Sequence, residues 1–390
     1  METPVNILGA SGKPLFFCVA GEPAAIVPPT DRRGDAVRLY VRSLSGMQKE
    51  ALVVSAGSGI TWRLASDEGA YLDGFDEGPC PLSFLTTGMV ASYMNEILAL
   101  AAQRGIDIRS IRLIQDNYYT MQGSALRGTM VGGAKNIDLE AQIDSDASAD
   151  TLTSLVYDAI AASPLNGLMR GEKESLFTLT HNGAEIPTGK AKPVGLAAPS
   201  DPGDRIAGAA VASGDWSSLI RRAGSSPKTE ATNSSQGSSL AEHQDRLLHV
   251  RGICTLRDDG VKQIEQHLYN PHGSVFHFLS DEQGRAPDAV SYISAGIGFC
   301  FMTQLGRYAK IARKDLRSFK VVQDMHFSKG GASGRTGLPG TADPVETHVY
   351  LEDDEDDEFA RTVVDMGEQT CFLHAFCRTD LKARVKITRL

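Results

Sequence analysis

Of the six cysteines in this 390-residue chain, Cys300 and Cys371 stand where thiol chemistry is easiest to build. Cys300 lies in the stretch 287–310, which is apolar almost all round and carries charge only at its far end. That pattern belongs to a core helix rather than a surface one. Asp288 follows Pro287 at a capping position. Four small residues, Ser294, Ala295, Gly296 and Gly298, crowd the two turns before the cysteine. A glycine costs about 1 kcal/mol in a helix interior, so they point to close approach of another backbone or to open space beside the thiol. Cys371 ends a second amphipathic segment. The thiolate is the reactive form of cysteine. Cys300 sits about three turns inside its helix, beyond the first-turn field of the macrodipole, so a low thiol pKa there requires a nearby cation.

The bulk properties narrow the classes of function. The net charge is −9, which argues against nucleic acid or an anionic membrane as main partner. No basic region precedes an apolar core at the N-terminus, and no apolar run reads as a membrane span, so a cytoplasmic protein is expected. Six cysteines in 390 residues make no disulfide scaffold. None of them shows paired zinc spacing. The histidines from His243 onward are too scattered to suggest a metal site, so no metal and no cofactor is expected. The glycine-rich 330–337 lacks the Gly-Lys-Ser/Thr ending of a phosphate loop.

The elements that must hold the two thiols occur twice. Strand-like runs at 36–42, 50–55 and 59–64 form a meander, and an apolar helix follows from Pro81 to near Gly105. A strand, a Gly-rich hairpin and a second strand come next, then a helix capped by Ser148. The order then recurs. Asp107-Ile-Arg-Ser110 matches Asp315-Leu-Arg-Ser318, Gln115-Asp116 matches Gln323-Asp324, and Arg127 matches Arg335, all 208 residues apart. Ser66-Asp67-Glu68 matches Ser280-Asp281-Glu282 at 214, which places one six-residue difference in the loop before the first helix. A constant offset is the mark of a duplicated fold. Under it, Cys300 falls on Ser92 and Cys371 on Ser163: cysteine twice in the second copy, serine twice in the first. The chain therefore divides into an arm (1–31), a first domain (32–185), a Ser/Gly/Ala-rich flexible linker (186–245) and a second domain (246–390).

Here the chain resembles the OsmC/Ohr family over roughly 32–182 and 246–390. The resemblance is carried by Gly78-Pro79-Cys80-Pro81 with its following helix, by the helix from Asp288 to Cys300, by Cys371 and by the Ser-Asp-Glu elements. It implies two α+β domains, each a bent antiparallel sheet packed with two long helices, arranged as a covalent pseudo-dimer. Family members are usually intertwined homodimers with sites at the interface. The chemistry implied is reduction of organic hydroperoxides, with Cys300 attacking and Cys371 resolving the sulfenic acid as a disulfide. A hydrophobic substrate and a lipoyl-like or thioredoxin-like dithiol reductant follow as expected partners, and a further homo-oligomer stays open.

The family's activating pair is less clear in the sequence. Its glutamate falls near Val290 in one copy and Leu82 in the other, leaving Asp288 and Glu282 as the nearest carboxylates. Its early-strand arginine falls on Arg251 or Arg257; Asp288 and Arg257 are taken as the candidate partners of the thiols. Two other readings compete: a hydrolase with Cys300 as covalent nucleophile, for which His374 would be the base, and a module that binds a hydrophobic small molecule. Cys18, Cys80, Cys254 and Cys377 are expected to be structural.

Overall fold

The computed structural model describes residues 3–21, 35–203, 205–228 and 238–390. The end of the N-terminal arm, from 22, and the Ser-rich stretch 229–237 of the expected linker lie outside the described residues.

The fold is α+β. A short helix α1 (Ile7–Ala10) and strand β1 (Phe17–Cys18) lead into the meander β2 (Asp35–Ser43), β3 (Lys49–Ser55) and β4 (Thr61–Ser66). Then come the long helix α2 (Pro81–Arg104), strands β5 (Ser110–Ser124), β6 (Val131–Ala134) and β7 (Ile137–Asp144), and helices α3 (Ala149–Ala162) and α4 (Leu165–Arg170). Strands β8 (Leu176–His181) and β9 (Ala184–Ile186) follow, with β10 (Ile220–Ser225) farther on. The second series is β11 (His243–Leu256), β12 (Lys262–Asn270), β13 (Ser274–Ser280), α5 (Ala289–Ala312), β14 (Leu316–Ser328), β15 (Thr341–Ala342), β16 (Glu346–Asp353), α6 (Asp357–Thr370), α7 (Phe372–Cys377) and β17 (Ala383–Arg389). Both long helices have 24 residues, and α3 and α6 both have 14.

Neither half closes a sheet of its own. One sheet runs β1-β4-β3-β2-β14-β16-β8-β9 and the other β10-β13-β12-β11-β5-β7-β17. Each takes its meander from one half and its long antiparallel pair from the other. At the seams, Arg38 faces Asp324 and Arg251 faces Asp116 in register. Both pairs are bidentate, at 2.7 and 2.6 Å and at 2.9 and 2.8 Å. The fork geometry of guanidinium on carboxylate makes these strong, oriented contacts. The repeated Gln-Asp signature is thus explained on its Asp side: Asp116 and Asp324 each bind the other half.

The linker expected to be flexible is tied down where it is described. Strand β10 pairs antiparallel with β13. Trp216 packs edge-on against Trp62, with centroids 5.7 Å apart. Apolar and indole surface in that segment offsets the conformational freedom that its Ser and Gly content favours.

Helix α5 is buried at every residue from Ala289 to Arg307. By length and composition alone it could cross a bilayer, contrary to the sequence expectation, but here it is a core helix. Asp288 caps it, its side chain accepting the Ser291 N–H at 2.8 Å. The small residues permit close approach. A Cβ on Gly296 would lie 2.6 Å from the Leu85 nitrogen, and one on Gly88, the equivalent residue of α2, would lie 2.5 Å from the Ala289 carbonyl oxygen. The two long helices therefore cross at a pair of equivalent glycines. Because the obstacles are backbone atoms, Gly296→Val is expected to lose roughly 1–3 kcal/mol through overpacking, read from the urea midpoint. An unchanged midpoint would mean that the crossing can slide apart without loss.

Candidate active site

Cys300 and Cys371 come together. Cys300 lies at the middle of α5 and Cys371 caps α7, its sulfur accepting the His374 N–H at 3.4 Å. Both side chains are buried, both thiols are free, and Cys371 lies near enough to act on the Cys300 thiol. Burial pushes the Cys300 thiol well up, and Cys371 adds to it; the Leu373 backbone N–H works the other way. The equivalent place in the first half is a pair of hydroxyls, Ser92 and Ser163, hydrogen-bonded at 2.7 Å.

Cys300 opens on a narrow cavity of about 40 Å³, which it shares with Glu68, Cys80, Arg246 and Arg307. The charged groups beside it come largely from the first half. Glu68 accepts hydrogen bonds from Thr303, one turn past Cys300, at 2.9 Å and from the Tyr71 hydroxyl at 2.6 Å. Burial raises its pKa, opposed by the charge of Lys49. Lys49 is fully enclosed; its ammonium donates to the Met47 carbonyl at 2.5 Å. Burial lowers its pKa, while the fields of Glu68, Asp67 and Cys300 raise it. Lys49 is thus an amine in electrostatic reach of Cys300. Cys80, the N-cap of α2, lines the same cavity, and burial with the nearby Glu68 pushes its thiol up to about 12.

Arg307 also lines the cavity, and burial together with the charge of Arg246 lowers its pKa to about 10. The corresponding residues in α2 differ. Where α5 has Thr303, Gln304 and Arg307, α2 has Asn95, Glu96 and Ala99. Asn95 donates to Glu282 at 2.8 Å, just as Thr303 donates to Glu68. Glu96 bonds Ser333, and burial raises its pKa to about 7.

Residues 281–386 match the family model of the OsmC-like proteins. The chain carries an OsmC-like domain. No curated protein matches the chain. Among solved structures, one match is an OsmC-like hydroperoxide resistance protein from Jannaschia sp. CCS1, 19% identical, covering 33% of this chain and 81% of that one with a TM-score of 0.20.

The stretch matching the OsmC-like model holds both cysteines but not the residues that surround Cys300 from outside. Asp288 and Arg257 need correction. Asp288 lies twelve residues before Cys300, about 18 Å along the helix axis, where it caps α5 and binds Ser55. Arg257 sits on the exposed turn after β11, paired with Asp259 at 3.1 Å. Arg251 is occupied by Asp116 at the seam. Cys80, expected to be structural, lies in the cavity. Sequence reasoning saw Glu68 only as half of a repeat. The signal that could have found it was the intertwined arrangement, which brings one half's Ser-Asp-Glu element to the other half's helix.

His374 is fully buried against Phe177 and Phe301, and neither ring nitrogen has a hydrogen-bond partner. Burial lowers its pKa to about 3, with the charge of Arg378 adding to it. In the unfolded chain it takes a proton near its ordinary value of 6.5. Folding stability from this residue is therefore complete above about pH 6.5 and declines as pH falls toward 3. His374→Leu should flatten the acid side of a plot of stability against pH, measured by urea denaturation between pH 4 and 7. An unaltered slope would mean that the ring is solvated. Elsewhere, Asp324, Glu346 and His348 lie close enough to share a cation, but the Arg38 fork already holds Asp324 and its charge opposes a metal.

Proposed function

We propose that the protein reduces an organic hydroperoxide through Cys300 and Cys371. The observation that carries this reading is the closeness of Cys371 to Cys300, which opens on a buried cavity beside Glu68 and Lys49. The Cys300 thiolate attacks the terminal peroxide oxygen, the O–O bond breaks, and the alkoxide leaves and takes a proton. Glu68, its pKa raised by burial, is suited to supply that proton. The Cys371 thiol then attacks the sulfenic sulfur, forming a disulfide and releasing water. A dithiol restores both thiols, its own sulfurs ending as a disulfide. Lys49 supplies the positive field that the Cys300 thiolate needs against burial.

The same reading takes residues 32–185 as a second OsmC-like copy that keeps the scaffold and has lost the thiols. The equal element order and the Ser92–Ser163 bond support it. The hydrolase alternative loses support because its base, His374, is held between two phenyl rings with no polar contact.

The test is multiple-turnover consumption of tert-butyl hydroperoxide with and without a dithiol. Turnover is expected only with dithiol, with one dithiol oxidised per peroxide. Peroxide inertness together with reductant-free turnover of activated esters would overturn the proposal.

A further inference from the structure

The cavity at Cys300 contains a cation that the thiol chemistry does not use. Cys300, Thr303, Gln304 and Arg307 follow one another at i, i+3, i+4 and i+7, so one face of α5 presents all four. All four line the same cavity. Arg307 is only 4% exposed. Its Nε donates to the Ser239 carbonyl at 2.7 Å, Nη1 to Gln304 Oε1 at 3.2 Å and Nη2 to the Met130 sulfur at 3.1 Å. Nη1 also faces the Met121 sulfur at 4.0 Å. Every acceptor is neutral, and the thioethers are weak ones. Among the described residues no carboxylate pairs with this guanidinium.

A second guanidinium, Arg246, lines the same cavity and binds the Ser239 hydroxyl. Arg307, a guanidinium buried on neutral partners, is costly when the cavity is empty and favourable around an anion. The position is also tied to the thiols. The half with the cysteines has Arg307, whereas the half with the serines has Ala99 in its place. The cavity's apolar lining includes Leu82, Leu248, Leu268 and Phe372.

We propose that Arg307 and Arg246 form an anion subsite that selects substrates bearing a carboxylate separated from the reacting group by a short apolar chain. The spacing follows from the helix: Arg307 is seven residues from Cys300, about 10 Å along the axis, and its side chain leans back toward Gln304. A planar carboxylate suits the guanidinium fork. In peroxide terms, which rest on the reading above, the preferred substrate is a carboxylate-bearing hydroperoxide rather than a neutral one.

The test needs no turnover. Cys300 of the full chain is alkylated with iodoacetamide, its labelling read by peptide mass, in the presence of heptanoate or heptanamide. Heptanoate is expected to protect at a concentration at least about tenfold lower than heptanamide. Arg307→Gln should abolish that difference and Arg307→Lys should keep part of it. Arg246→Gln, read in the same way, should narrow it and serves if the first variant does not fold. Equal protection by the two ligands, or a preference that survives in Arg307→Gln, overturns the subsite. A heptanoate preference without peroxide turnover would sink the peroxidase reading alone; turnover without the preference would sink the subsite alone.

Discussion

Cys300→Ser is expected to lower peroxide turnover by roughly a thousandfold or more, since loss of an attacking nucleophile removes the reaction's first bond. Ser92→Ala, at the equivalent position of α2, should leave turnover within a few-fold. Its cost is confined to the lost hydrogen bond with Ser163, about 1 kcal/mol, and Ser163 still accepts from the Leu165 N–H at 3.2 Å. The contrast rests on asymmetry within a symmetric scaffold. A serine hydroxyl needs a strong neighbouring base to attack, and the one partner seen for Ser92 is another hydroxyl. Paired turnover assays of the two variants decide it; equal damage from both would mean that the site is not confined to the cysteine side.

Cys371→Ser should remove dithiol-dependent turnover to a similar extent while leaving one round of peroxide consumption per chain. Without the second thiol the sulfenic acid on Cys300 cannot close to a disulfide and proceeds toward sulfinic acid. Mass spectrometry after mild peroxide treatment should find the Cys300–Cys371 disulfide in the parent protein and an oxygen-bearing Cys300 in the variant. The geometry favours closure because α5 and α7 pack together and Cys371 lies near enough to act on the Cys300 thiol. Cys377, six residues on at the end of α7 and also fully buried, lies near enough to Cys371 for their charges to interact. A disulfide joining Cys371 to Cys377 in place of Cys300 would refute the assigned order.

Much of the scaffold was legible from local pattern alone. Ser148 and Asp288 cap the helices they precede, accepting N–H groups at 3.1 and 2.8 Å. Gly105 ends α2 in the left-handed conformation that glycine permits, at φ 65°. These features depend on residues a few positions apart, so a sequence displays them directly. The matching order of elements in the two halves was also legible, because the recurring motifs keep a constant offset. That offset set Cys300 against Ser92 and Cys371 against Ser163.

The remainder depends on which half meets which. Glu68 and Lys49 lie more than 230 positions from Cys300, and no local pattern links them to it. They reach it because the two meanders pair across the seams and the long helices cross at Gly88 and Gly296. The same crossing carries Asp288 away from the thiol it precedes in the chain. Burial was equally hidden: Arg307 reads as the charged far end of a helix, yet the fold encloses it. Local pattern marked where strands and helices form and which cysteines to single out, since periodicity and residue type are local properties. Tertiary structure alone decided which charges surround those cysteines, because electrostatics acts through space and takes no account of chain order.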